Sequence, residues 1–156
     1  MYKKIMVPMD GSQLAECVLP HVKTIAEARG VQTVVFVRVV EPLSLTPVRG
    51  ETGWMTEEEM KRVDAKSQAV AEQYLNNLVS GLDYGKVSIQ KAVLVGRAGE
   101  SLAEYASKND INLIIVATHG RSGVSRWVWG SVADKLLHSA RVPVLMVRAP
   151  GSTPRT

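Results

Sequence analysis

Two short segments of the chain carry the residue types that hold anions and hydroxyl-rich ligands. The first is Pro8-Met9-Asp10-Gly11-Ser12. A carboxylate at Asp10 can accept hydrogen bonds from a ribose or a base, as acidic residues near strand ends do in nucleotide-binding folds. Asp10 or Ser12 can equally cap the helix that follows. The second segment runs Ala117-Thr118-His119-Gly120-Arg121-Ser122-Gly123 and ends, after Val124 to Trp129, in Gly130-Ser131. Glycines let backbone amides approach an anion closely. A helix that begins at Gly130-Ser131 points its free N–H groups and the positive end of its dipole at a phosphate. The alternative is a glycine-rich connector in which Ser131 is an N-cap. Neither a G-x-x-x-x-G-K-[ST] loop nor a G-x-G-x-x-G fingerprint occurs. Arg121 and Arg126 can neutralise phosphate charge or simply face solvent. For catalysis the candidates are Asp10, His119 and Arg121, a set that supports at most slow phosphoryl transfer, to water or to Ser131.

These segments need strands and helices to place them. Apolar runs of strand length alternate with amphipathic stretches of helix length. Ile5-Met6-Val7 is the first strand. A helix face follows at Leu14, Val18, Val22, Ile25 and Ala28. Pro20 lies inside that pattern and predicts a kink or a late start, because proline removes a helical hydrogen bond. Val34 to Val40 is a β-branched second strand, and Glu41 to Met55 reads as a long irregular loop. Thr56 and Glu59 form a capping box for a helix with its apolar face at Met60, Val63, Val70, Tyr74 and Leu78. Lys86 to Val95 alternates apolar and polar residues, which predicts a half-exposed edge strand. A short helix carries Leu102, Tyr105 and Ala106 inward. Leu113 to Val116 is a buried strand, and Val132, Ala133, Leu136, Leu137 and Ala140 face the core from a last helix. Val144 to Val147 closes the pattern behind Pro143, a residue tolerated at edges and strand starts.

The order βαβαβαβαβ predicts an α/β, three-layer open parallel five-stranded sheet. With right-handed crossovers and edge strands third and fifth, the strand order is 3-2-1-4-5. Ligands bind such sheets outside the carboxyl ends of the strands, where the order reverses. That point lies between the first and fourth strands and brings Asp10 to the Thr118–Ser131 segment. Residues 1–149 make a single domain and 150–156 a polar tail.

Composition narrows the function classes. The 156 residues hold 19 basic and 15 acidic side chains, a net charge of +4, and 5% aromatic residues. The basic residues are scattered and few aromatics accompany them, which argues against nucleic acid. No apolar run approaches the length of a membrane span, and no signal peptide pattern opens the chain, so the expected setting is cytoplasmic. Cys17 is the single cysteine and reads as a helix-packing residue. His21 and His138 have no metal-ligand spacing.

The layout resembles the universal stress protein family from Tyr2 to about Arg148. The resemblance rests on the Pro8-to-Ser12 opening, the Gly120-to-Gly130-Ser131 segment with nine residues between its glycines, and the closing Val142-Pro143-Val144-Leu145-Met146-Val147. ATP-binding members carry G-x-x-G, nine residues, then G-[S/T]. Here Ala117 replaces the first glycine, and Gly120, Gly130 and Ser131 match. The resemblance implies a Rossmann-like, adenine nucleotide alpha hydrolase-like fold that binds ATP, AMP or ADP, with any Mg²⁺ held by the phosphates. It places Pro8 and Asp10 near the adenosine, and Val39 and Val40 at the adenine. Val116, Ala117, Gly120, Gly123, Gly130, Ser131 and Val132 then form the ribose and phosphate cradle. An alanine at 117 fits if its φ is negative but not if it is positive. The resemblance also implies a homodimer through Val144–Val147, with Trp127 and Trp129 available to support it, and a role as a stress-response sensor or regulator.

Two other readings share the architecture. One is an interaction protein that binds no nucleotide and uses the Glu41–Met55 loop and the last strand for contact. The other is a flavodoxin-like electron carrier.

Overall fold

The computed structural model describes residues 1–28, 30–45, 54–118 and 130–149. Five parallel strands lie in the order β3-β2-β1-β4-β5. They are β1 (Lys4–Pro8), β2 (Thr33–Val40), β3 (Ser88–Val95), β4 (Leu113–Thr118) and β5 (Val144–Arg148). The helices are α1 (Leu19–Ala28), α2 (Glu57–Ser80), α3 (Ala98–Lys108) and α4 (Ser131–Ser139). The strand order is the one that the edge signals at β3 and β5 predict. In the registers, Met6 stands beside Val35 on one side and Ile114 on the other.

Side chains alternate across a strand, so the central strands are apolar on both faces and each face needs its own cover. Ile5, Val7, Val34, Phe36 and Ile115 pack toward Val18, Val22 and Leu75, under α1 and α2. Met6, Val35, Val37 and Ile114 pack toward Leu102, Ala106 and Leu136, under α3 and α4. The edge strand β3 is partly covered on both faces. Val87, Ile89 and Val93 meet the first core, and Ala92 and Leu94 the second.

Local chemistry sets the helix ends. Pro20 is the second residue of α1, in its first turn, where the missing N–H is harmless. The chain reaches it through a 3-10 turn at Ala15–Val18, so the helix starts late. Thr56 caps α2 and accepts the Glu59 N–H at 3.2 Å, while Glu59 accepts the Thr56 N–H at 2.7 Å. These bonds hold the Glu59 carboxyl below its ordinary range.

Three helix faces differ from the periodic reading. In α2 the buried residues are Ala71 and Leu75, whereas Val63 and Val70 face solvent. In α1 Ala26 is buried and Ala28 is exposed. In α4 Ala133 and Leu136 are buried and Leu137 is exposed. A 24-residue helix is roughly 36 Å long, longer than the sheet it crosses. Only part of its apolar stripe meets the core.

This assignment has a direct energetic consequence. Leu75→Ala should destabilise the fold by about 2–5 kcal/mol, because it leaves a cavity under the sheet. Val70→Ala should change stability by less than about 0.5 kcal/mol. Urea unfolding followed by circular dichroism separates them, and equal losses would return Val70 to the core face.

Candidate functional site

The carboxyl ends of β1, β2 and β4 open onto a cavity of about 510 Å³, within the ~300–1,000 Å³ range of small-molecule sites. Pro8, Met9 and Asp10 line it from the end of β1, and Val37, Arg38 and Val39 from β2. Val116 and Ala117 come from β4, and Gly130, Ser131, Val132 and Ala133 from the start of α4. Ala98 and Leu102 of α3 close one side. This is the point of strand-order reversal between β1 and β4.

Most of the sequence-predicted residues meet here. Pro8, Asp10, Val39, Val116, Ala117, Gly130, Ser131 and Val132 all line the cavity. Val40 does not. It is buried, and its carbonyl accepts the Gly96 N–H at 3.0 Å. Gly120, Gly123, His119, Arg121, Arg126, Trp127 and Trp129 lie outside the described residues. So does most of the Glu41–Met55 loop.

Asp10 orders the turn that follows β1 and keeps its carboxylate at the cavity edge. Its Oδ1 accepts the Ser12 N–H at 2.8 Å and the Ser12 hydroxyl at 2.6 Å. Ser12 Oγ in turn accepts the Ala15 N–H at 3.1 Å, which starts the 3-10 turn. The carboxylate is thereby fixed in orientation while remaining exposed at the cavity edge.

The two helix starts beside the cavity differ. Glu41, just past β2, accepts the Ala98 N–H at 3.0 Å and so supplies the anion at the start of α3. The N-cap of α4 is Gly130, not Ser131, and no side chain among the described residues caps it. Ser131 is instead the first helical residue, and it is exposed. Gly130 has φ −52° and ψ 141°, values any residue adopts, and a Cβ built on it would meet nothing within 4 Å. Neither backbone conformation nor crowding by the described residues requires the glycine. Its missing side chain leaves open cavity in front of an uncapped helix start, an arrangement that suits an anion.

Ala117 bears on the missing motif glycine. It lies within β4, paired with Val147, and Asp110 is the one non-glycine residue with positive φ among the described residues. The alanine therefore occupies an extended backbone without strain.

Sequence reasoning missed Arg38. Its guanidinium lies beside Gly11, where an added Cβ would be 2.9 Å from Nη1, 3.0 Å from Cζ and 3.1 Å from Nη2. Gly11 has φ +85°, a backbone conformation that favours glycine, and a side chain there would displace the guanidinium. The Arg38 Cζ also sits 5.2 Å from the centroid of the Tyr74 ring. Tyr74 donates its hydroxyl to Glu16 at 3.0 Å. Burial, followed by that bond to Glu16, pushes the phenol well above its ordinary range. Cys17 is half-buried against the first core, and burial raises its thiol. No group of three or more metal-ligating side chains gathers among the described residues, and no helix there is long and apolar enough to cross a membrane.

Comparison with known proteins agrees with this layout. The model of the universal stress protein family matches residues 1–148. Universal stress protein MJ0531 of Methanocaldococcus jannaschii is 29% identical over 154 residues, covering 96% of this chain and 84% of that one. The solved structure of MJ0577, from the same organism, superposes with a TM-score of 0.77 at 25% identity, over 97% of this chain and 99% of that one. A family protein from Arabidopsis thaliana, solved with AMP bound, superposes with a TM-score of 0.63 at 12% identity, over 96% and 93% of the two chains. Sheet order, switch-point cavity and a family match across all five strands converge on one assignment: the chain belongs to the universal stress protein family.

Proposed function

We propose that the chain binds an adenine nucleotide in the switch-point cavity, with ATP the leading ligand and AMP or ADP next, and acts as a sensor or regulator in a stress response. The observation that carries this reading is Gly130. It leaves open space in front of the uncapped start of α4, on a cavity that Asp10 also lines. The AMP bound to the Arabidopsis thaliana family protein supports the ligand class. In this reading Pro8 and Val39 flank the base, Asp10 accepts from the nucleoside, and Gly130, Ser131 and Val132 donate to phosphate. Mg²⁺ arrives on the phosphates, because the described residues gather no carboxylate cluster for it.

The reading extends to assembly. β5 is an edge strand whose Leu145 is 37% exposed. An apolar edge in water favours a partner strand, and a homodimer through Val144–Val147 supplies one. Leu145→Lys should convert a sedimenting dimer to monomer. Unchanged sedimentation would place the contact elsewhere, and a monomeric parent protein would remove it.

The ligand test is calorimetric. Protein stripped of carried-over nucleotide should bind Mg-ATP saturably at one site per chain. Gly130→Val should weaken that binding at least tenfold without loss of thermal stability, since the backbone there accepts valine and a Cβ has room. No heat from the parent protein, or equal affinity in the variant, would overturn the reading in favour of a nucleotide-independent interaction protein.

Ala117 supplies a separate prediction. Restoring the motif glycine by Ala117→Gly should change ATP affinity less than threefold, because no backbone strain is relieved. Stability should fall by about 0.5–1 kcal/mol, the usual effect of glycine in a strand. A tenfold gain in affinity would instead make the methyl group an obstacle to the ligand.

A further inference from the structure

Arg38 brings a cation to the rim of the cavity with no counter-ion among the described residues. Charged side chains this far from full exposure are normally paired, because moving a charge out of water is costly without a partner. The structure invests in its position instead. Gly11 lets the guanidinium lie within contact of the chain at the end of β1, and Tyr74, fixed by Glu16, supports it from α2. Two segments distant in sequence, around Gly11 and around Tyr74, thus meet this side chain of β2, and no hydrogen bond or ion pair satisfies its N–H groups within the described residues. A guanidinium presents five donors and no acceptor, so its complement is a hydrogen-bond acceptor on whatever occupies the cavity.

Its place in the sheet says which part of the ligand that is. Arg38 stands on β2, whereas Ala117 stands on β4, with β1 between them. Neighbouring strands are about 4.8 Å apart, so β2 and β4 are separated by roughly 10 Å. With phosphate at the start of α4, the Arg38 side of the cavity faces the nucleoside. Asp10 lies on the same rim and only accepts hydrogen bonds when ionised, while Arg38 only donates. Together they offer a directional pair that can tell one base edge or ribose edge from another.

We propose that Arg38 is a specificity-determining residue that donates to an acceptor on the nucleoside part of the ligand, and that Tyr74 is the positioning residue that holds it there. This rests on the nucleotide reading of the cavity. Arginine is required over lysine because a fork of fixed donors, and not charge alone, makes the contact.

The experiment is a set of calorimetric titrations with ATP and three analogues that each alter one acceptor: 7-deaza-ATP, 2′-deoxy-ATP and 3′-deoxy-ATP. The parent protein should bind at least one analogue five- to tenfold more weakly than ATP. Arg38→Met should bind ATP about tenfold more weakly, and should no longer distinguish that analogue from ATP. Arg38→Lys should recover less than half of the loss on a logarithmic scale. Tyr74→Phe, which keeps the ring but drops the bond to Glu16, should retain the parent ranking with a two- to fivefold loss. Thermal melts of each variant check that the fold is intact. A variant Arg38→Met that binds ATP as the parent does overturns the inference and leaves the nucleotide reading standing. An equal loss for ATP and every analogue, with the parent ranking kept, assigns Arg38 a structural role and also overturns it. A parent protein that binds no nucleotide removes both.

Discussion

Parallel pairing is the constraint on which the rest of this molecule depends. Parallel strands cannot be joined by hairpins, so each needs a crossover, and a right-handed crossover places its helix on one predetermined face. The chain winds outward from β1 through β2 to β3, then crosses back to lay β4 on the other side of β1. Crossovers to the two sides put α1 and α2 on one face and α3 and α4 on the other. The connections that leave β1 and β4 therefore diverge to opposite faces, and a gap opens between them at the carboxyl end. The cavity is a result of winding direction before any side chain is considered.

What the side chains add is a contrast between its walls. The floor comes from strand ends that carry small or apolar residues, Pro8, Val39, Val116 and Ala117. At the rim, each helix start has a free amide end that favours negative charge. For α3 that demand is met within the protein by Glu41. For α4 no described side chain meets it, and the glycine at its cap leaves room there among the described residues. Two helix starts of the same kind in one neighbourhood thus differ in what they leave for a ligand. The difference is made by one carboxylate and one missing side chain.

The sheet was legible in the sequence because its signals are local and redundant. β-branched runs mark β2 and β4, alternation marks β3, and Pro143 marks the start of β5. Pro20 correctly announced a late helix start, since the ring excludes only helix interiors. The helix faces were read less well. Periodicity locates an apolar stripe but not how far the sheet extends beneath it, so Val63, Val70 and Leu137 were assigned inward and face solvent. In the candidate site, the described residues of the motif segments line the cavity, and so does Arg38, which no motif marks. Its partners lie at positions 11, 16 and 74, and only the packing of α2 against β2 brings them together. Val40, named with Val39 as a backbone contact, is buried and is not part of the cavity lining.

Ala117 shows how a motif departure is weighed physically. A glycine in a binding motif can be needed for a positive φ, for close approach of a ligand, or for close approach of another chain segment, and these needs leave different traces. A positive φ is absent, since Ala117 continues the extended strand and pairs in register with Val147. Crowding by protein is not in evidence either, because the residue is partly buried against the first core and still borders open cavity. Only ligand approach remains as a use for glycine at this position, and there a single methyl group competes with a cavity of about 510 Å³. At Gly130 neither positive φ nor crowding by the described residues is present, and the position is the N-cap of α4. A side chain there would stand directly before the uncapped amides of α4, whereas the methyl of Ala117 lines a wall that carries no unpaired helix start. The two positions of one motif are therefore unequal. Glycine stands at the position where a side chain would lie in front of the helix start.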